Sequence, residues 1–230
     1  MTGLEPKNPE QTDLVTIRDI KPAPDELEQT VSDMVELFNK AFGEDQTATP
    51  QNIRDRLHAE DTVTVGAYLQ NKLVGNLGIA THAGKWPGSW YLFGMAIDPR
   101  LQRQGIGDKL IKEALQRGGE NQRFTATARP DNYASVALCV NNNQFRVTKF
   151  LRDHFGPGEH RILMESSPEI RGMELDLDTI RIASGDIDAL GEKLAGGYIG
   201  VGIERAESDP RVQKAGQTFL LLKKQRRQDS

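Results

Sequence analysis

Between Trp90 and Gly119 the chain passes from an apolar run through a short polar turn into an amphipathic helix, and this succession limits the folds open to it. Trp90 to Ile97 reads Trp-Tyr-Leu-Phe-Gly-Met-Ala-Ile, as expected of a strand buried on both faces. Pro99 offers no N–H to a ladder and ends it. After the turn, Ile106, Leu110, Ile111, Ala114 and Leu115 recur at helical spacing, and Gly118-Gly119 closes the helix. Between them lies Gln102-Arg103-Gln104-Gly105-Ile106-Gly107-Asp108. Glycines without a Cβ let the backbone come close to a ligand. The helix start adds N–H groups that have no intrahelical partner, and the positive end of a dipole. Together these make an anion seat, most often one for phosphate.

Two phosphate motifs are excluded. A Walker loop requires Gly-Lys-Ser/Thr, but here Asp108 separates Gly107 from Lys109 and Leu110 follows. A dinucleotide fingerprint requires a third glycine where Leu110 stands. What remains is Gln-x-x-Gly-x-Gly at Gln102, Gly105 and Gly107. In this the chain resembles the GNAT superfamily of acyl-CoA-dependent N-acyltransferases, whose signature turn is Gln/Arg-x-x-Gly-x-Gly/Ala between a central strand and a helix. A second segment agrees with it. Arg123 to Ala128 reads as a strand and Asn132 to Cys139 as a helix. There Asn132, Ser135, Leu138 and Phe145 match the family pattern, while Cys139 replaces its tyrosine and Gln144 its glycine.

The resemblance implies an α/β fold: a GNAT-like central mixed sheet, splayed at the acyl-CoA site and flanked by helices, over residues 13–166. The residues supply elements in the implied order. Leu14 to Ile20 alternates as a strand, and Leu27, Val31, Met34, Val35, Phe38 and Phe42 form a helical stripe. Thr49-Pro50 caps a second helix. Thr62 to Leu69 and Lys72 to Ala80 form a hairpin turned at Gln70-Asn71, and later strands run from Phe145 to Leu151 and Arg161 to Glu165. Residues 1–12 read as a loose polar tail. Residues 170–230 read as a small β-α-β-β extension, with strands at Thr179 to Ala183, Tyr198 to Ile203 and Phe219 to Leu222. Its helix runs from Asp186 to Leu194, capped by Ser184. It is read as extending the sheet, forming a homodimer or covering the acceptor site, with structural packing favoured over a substrate role.

Composition sets bounds on partners. The 230 residues are 37% hydrophobic and 27% charged, with one cysteine and a net charge of −4. No apolar run reaches membrane-spanning length, and the polar start does not read as a signal peptide. A cytoplasmic, reducing setting is expected, without membrane or nucleic-acid partners. The basic run Lys223-Lys224-Gln225-Arg226-Arg227 reads as solvated. No metal-ligand spacing is seen.

The activity implied is transfer of an acetyl group from acetyl-CoA to a primary amine of a small molecule or peptide, by direct attack in a ternary complex. Gln102, Arg103, Gln104, Gly105, Ile106, Gly107 and Asp108 are expected to hold the diphosphate, with Arg103 adding charge. The Asp108 carboxylate would repel it unless turned away, and is read as a helix cap. The pantetheine arm is expected along Met95, Ala96 and Ile97, with Asn132 and Ser135 holding its amide; Asn132 reads equally as an N-cap. For catalysis the resemblance thins. Tyr91 stands where many relatives carry a glutamate base, and Thr127 where another branch does. Cys139 occupies the place of the tyrosine acid, with a packing role preferred. His154, His160 and a water held by Tyr91 are alternative proton acceptors. Glu44 and Asp45 fall in the loop expected to line the acceptor pocket. The missing glutamates and tyrosine leave open a non-catalytic CoA-binding regulatory module, and the turn alone leaves open an unrelated phosphate-binding protein.

Overall fold

Turn chemistry and helical periodicity account for most of the first half of the chain. The computed structural model describes residues 14–43, 48–81, 86–183, 185–205 and 218–225. The class is mixed α/β, as expected. Two units are distinguished by packing, Met1–Gly119 and Glu120–Ser230, a division that falls within the span read as one domain.

The first unit holds β1 (Thr16–Asp19), α1 (Leu27–Phe42), α2 (Pro50–His58), β2 (Thr62–Leu69), β3 (Lys72–Ala80), β4 (Ser89–Ile97) and α3 (Ile106–Gly118). Its strands form an antiparallel sheet in the order β1-β2-β3-β4. The β2–β3 hairpin turns through Gln70 (φ 50°) and Asn71 (φ 64°), the two positive φ values that a tight turn between twisted strands requires. Thr49 Oγ1 accepts a hydrogen bond from Asn52 N at 3.2 Å, and Pro50 occupies the first turn of α2. On α1, Val31, Met34, Leu37 and Phe38 are buried and pack in one cluster with Ile20, Ile53 and Ala96. Phe42 belongs to the expected stripe, but it is the last residue of α1 and is 42% exposed. On α3, Ile106, Leu110, Ile111 and Ala114 are buried as the spacing predicts.

One expectation for β4 fails. The strand is not buried on both faces: Leu92 and Ala96 are buried, whereas Trp90, Tyr91, Phe93, Met95 and Ile97 are only partly covered and Gly94 is exposed. The reason is a bulge. Asn76 pairs with Ala96 and Gly78 with Phe93, so Leu77 of β3 faces both Gly94 and Met95 of β4. Gly94 has φ +56°, a conformation that glycine adopts without steric cost. An extra residue bends a strand and re-aims its side chains, so continuous burial is lost.

The second unit holds β5 (Arg123–Ala128), α4 (Tyr133–Ala137), β6 (Arg146–Leu151), β7 (Arg161–Ser166), β8 (Leu175–Ala183), α5 (Ile187–Ala195), β9 (Tyr198–Arg205) and β10 (Thr218–Gln225). Its strands run antiparallel in the order β5-β7-β6-β9-β10-β8. Phe124, Phe145, Leu163, Met164 and Leu222 are among its fully buried side chains. Buried Glu165 is paired with Arg123 and accepts from the Thr148 hydroxyl. The expected Asn132 to Cys139 helix changes character after Ala137 and continues to Asn142 as a wider, π-type turn. At its C-cap the buried Asn143 side chain donates from Nδ2 to Leu138 O at 2.8 Å.

The extension continues the strand order of this unit. Val147 of β6 pairs with Gly200 of β9. A Cβ at Gly200 would lie 2.6 Å from Val147 Cβ, so only glycine permits this approach. Farther along β9, Asn141 takes a hydrogen bond from Ile203 N (3.0 Å) and donates to Ile203 O (3.2 Å), an amide standing in for a strand neighbour. Asp186 Oδ1 accepts from Ala189 N at 3.1 Å and caps α5; Ser184, expected as its cap, lies outside the described residues. Among the described residues no helix is long and apolar enough to cross a membrane.

Candidate functional site

Asp98 is where β4 becomes the turn. It is 3% exposed, and its carboxylate N-caps the single 3₁₀ turn Pro99–Leu101. Oδ1 accepts from Arg100 N and Arg100 Nε, each at 3.0 Å, and Oδ2 from Arg100 Nη2 at 2.8 Å. The Arg100 guanidinium, with help from its N–H, holds the carboxyl down to about 2, against 3.8 for a free side chain. A depressed carboxyl stabilises the fold above its unfolded value and loses that contribution as pH falls through the folded one. We therefore expect stability to decline between pH 4 and pH 2 in urea melts, with Asp98→Asn flattening that limb and costing about 1–2 kcal/mol at pH 7. The low end of that range is expected because Arg100 is 74% exposed and water screens the pair.

The turn beyond Asp98 is tied down by side-chain amides. Gln102 Nε2 donates to Ile97 O, and Gln104 Nε2 to Arg100 O, each at 3.3 Å. Arg103 has φ +63° and Gly105 φ +83°, so the backbone reverses hand twice within a few residues. Such turns direct successive N–H groups into one concavity. Gly105 is the N-cap of α3 and carries no capping side chain. The first intrahelical bond is donated by Lys109 N to Gly105 O (3.0 Å), so the Ile106 and Gly107 N–H groups precede it. Gly105 and Arg103 are exposed, while Gly107 is buried. The Asp108 carboxylate lies 2.6 Å from Lys112 Nζ, one helical turn on, and its charge is thereby compensated. Asp108 is thus the third residue of the helix, and the N-cap position belongs to Gly105.

Upstream, Ala96 is buried, Ile97 is partly buried, and Met95 sits within the bulge. Tyr91 stacks on Phe93, with ring centroids 6.0 Å apart and planes 5° from parallel. Phe93 in turn lies under Arg56 of α2, whose Cζ is 4.9 Å from the ring centre. Sequence reasoning did not identify Arg56, Asn76 or Gly94. The signals were present: an arginine between Ile53 and Leu57 on the inner side of α2, and a lone amide inside the apolar run Val74 to Ile79.

The remaining candidates belong to the second unit. Asn132 Oδ1 accepts from Ser135 N at 3.2 Å, so the N-cap reading of Asn132 is realised. Cys139 is 4% exposed, and burial pushes its thiol up to about 12. Both features suit the packing role preferred for it. His154 and His160 lie in the β6–β7 connection. The His160 Nδ1 accepts from Asp153 N at 3.1 Å, and the His154 ring meets Phe155 edge-on at 4.6 Å. Glu44 and Asp45 lie outside the described residues.

Comparison with known proteins bears on these features. Residues 31–141 match the family described as Acetyltransferase (GNAT) family. Solved structures agree in fold. The ribosomal-protein-S18-alanine N-acetyltransferase of Escherichia coli aligns over 66% of this chain and 93% of its own, with a TM-score of 0.53 and 18% identity. An aminoglycoside 6'-acetyltransferase of type Ii covers 66% and 96% at TM-score 0.52 and 17% identity. A GNAT-family acetyltransferase of Streptococcus pneumoniae covers 66% and 99% at 0.50 and 20%. No curated protein matches the sequence. The matched span includes α3 and the glycine turn that precedes it, so residues 31–141 are similar to the GNAT acetyltransferase family.

Proposed function

We propose that the chain is an N-acetyltransferase that moves an acetyl group from acetyl-CoA to a primary amine of a small molecule or peptide, by direct attack. The observation that carries this reading is the turn from Gln102 to Asp108: two positive-φ residues, the helix-start amides of Ile106 and Gly107, and a compensated Asp108. Amides so arranged favour a diphosphate. Arg103, exposed beside them, adds a positive charge.

The chemistry then needs little beyond alignment. The amine nitrogen attacks the thioester carbonyl, the C–N bond forms, the C–S bond breaks, and the proton released from nitrogen ends on the sulfur. Backbone at the β4 bulge, around Met95 and Ile97, is assigned to the acyl arm. Tyr91 is assigned to a water that relays the proton, since no glutamate stands at that place. Cys139 is assigned to packing. Cys139→Ala is accordingly expected to leave turnover unchanged and to cost about 1 kcal/mol in a urea melt. A turnover loss of tenfold or more would restore the thiol as the acid.

Calorimetry with CoA, followed by acetyl-CoA and an amine panel with thiol detection, tests the reading. CoA binding together with thiol release is the expected result. Tight binding without release across the panel would assign the chain as a CoA-binding module, the reading suggested by Tyr91 and Thr127 standing where glutamates are expected. Absence of CoA binding, or its displacement by simple nucleotides, would overturn both.

A further inference from the structure

Arg56 is bonded differently from Arg54, Arg100 and Arg117. Arg54 meets Glu28 at 2.6 Å, Arg100 meets Asp98 at 2.8 Å, and Arg117 meets Glu113 at 2.8 Å. The bonds of Arg56 go to neutral groups: Nε to Thr64 Oγ1 and Nη2 to Asn76 Oδ1, each at 3.1 Å. Its flat face rests on Phe93. Among the described residues it has no carboxylate partner, and burial alone lowers its guanidinium to about 10. A second donor beside it is also idle. Asn76 is fully buried, and its Nδ2 has no hydrogen-bond partner. Buried donors are seldom left unmatched, and those that are often mark a functional site or an ordered water.

Among the described residues, Gly94 is the exposed residue nearest the free end of the guanidinium. A Cβ there would lie 2.9 Å from Arg56 Nη1. The bulge thus sets a residue without a side chain beside Nη1, and only there can the guanidinium come this close to the exposed stretch of β4. Nη1 and the second hydrogen of Nη2 form the planar fork that a carboxylate accepts with both oxygens. Tyr91, Phe93 and Arg56 lie in series by stacking, so the fork stands on the same face as the aromatic ring placed at the reacting amine.

We infer that Arg56, backed by Asn76 and brought up to the strand surface at Gly94, receives a carboxylate of the acceptor, which makes the substrate an amine that also bears a carboxylate. This rests on the acetyltransferase reading above and narrows its substrate class. The carboxylate has two sources, a free amino acid or an acidic residue near the amine of a peptide.

The test is calorimetry on CoA-saturated protein, with free amino acids each beside its carboxamide, and hexapeptides beginning Ser-Asp beside Ser-Asn. At least one carboxylate compound is expected to bind tenfold or more tightly than its amide twin, and the arm in which it appears identifies the source. Arg56→Gln is expected to erase the preference. Asn76→Asp, which keeps the volume and supplies an internal carboxylate to Arg56, is expected to erase it too while CoA affinity stays at the wild-type value. A preference that survives both substitutions, or that is absent from the wild-type protein, overturns the inference. If the wild-type protein fails to bind CoA, it is the acetyltransferase reading that falls.

Discussion

Gly105→Glu is expected to raise the Kd for CoA by about 100-fold, or about 2.7 kcal/mol, while the protein still unfolds cooperatively. Gly105 is exposed, so the new side chain meets no core. Its φ of +83° imposes a strain of about 1 kcal/mol on any residue with a Cβ, which a folded domain of this size survives. The carboxylate would stand at the start of α3, beside the amides assigned to the diphosphate. There it meets like charge and occupies the space over the turn. Gly107→Glu is not an equivalent test. Gly107 is buried in the first turn of α3, and a buried, unpaired carboxylate there is expected to unfold the unit. Calorimetry and a melting curve on Gly105→Glu separate the outcomes. Wild-type affinity in a folded variant would remove the diphosphate from this turn.

A second large effect is expected from Leu110→Ala. Leu110 is 0% exposed on the buried stripe of α3, with Ile106, Ile111 and Ala114. Deleting its side chain leaves a cavity costing about 3 kcal/mol, which lowers the melting midpoint by roughly 10 °C. Because α3 carries the turn, ligand and helix should stabilise each other. Acetyl-CoA at about 100 times its Kd is expected to restore about 2.7 kcal/mol. A midpoint insensitive to acetyl-CoA in both wild type and variant would separate α3 from cofactor binding.

How much of this was legible in the sequence follows from the range of the interactions involved. Local signals were read correctly. The Thr49-Pro50 cap, the Gln70-Asn71 turn and the α3 stripe each depend on residues within a few positions of one another. The glycine turn was legible because Gly105 needs a positive φ for purely local reasons. Features set by distant neighbours were not. The β4 bulge depends on how Asn76 and Gly78 register against Ala96 and Phe93, and an apolar string of letters conceals it. Arg56 was overlooked for the same reason: its significance comes from Thr64, Asn76 and Phe93 on three different strands. Asp108 looked paradoxical until Lys112 was placed within reach. The extension was recognised strand by strand, but its attachment depends on Gly200 fitting against Val147, a contact no local pattern announces.

That attachment also bears on which strand edges are left open to pairing. Were the chain cut after Ser167, the outer side of β6 would present bare amide and carbonyl groups, the template on which strands from other molecules polymerise. With the last three strands in place, the outermost position passes to β8. There Asp176 and Asp178 put carboxylates on the outermost strand, which disfavour strand-to-strand pairing. Covering β6 with β9, β10 and β8 is thus expected to lower its tendency to recruit strands from other copies, in line with the use of charged edge strands to block such pairing.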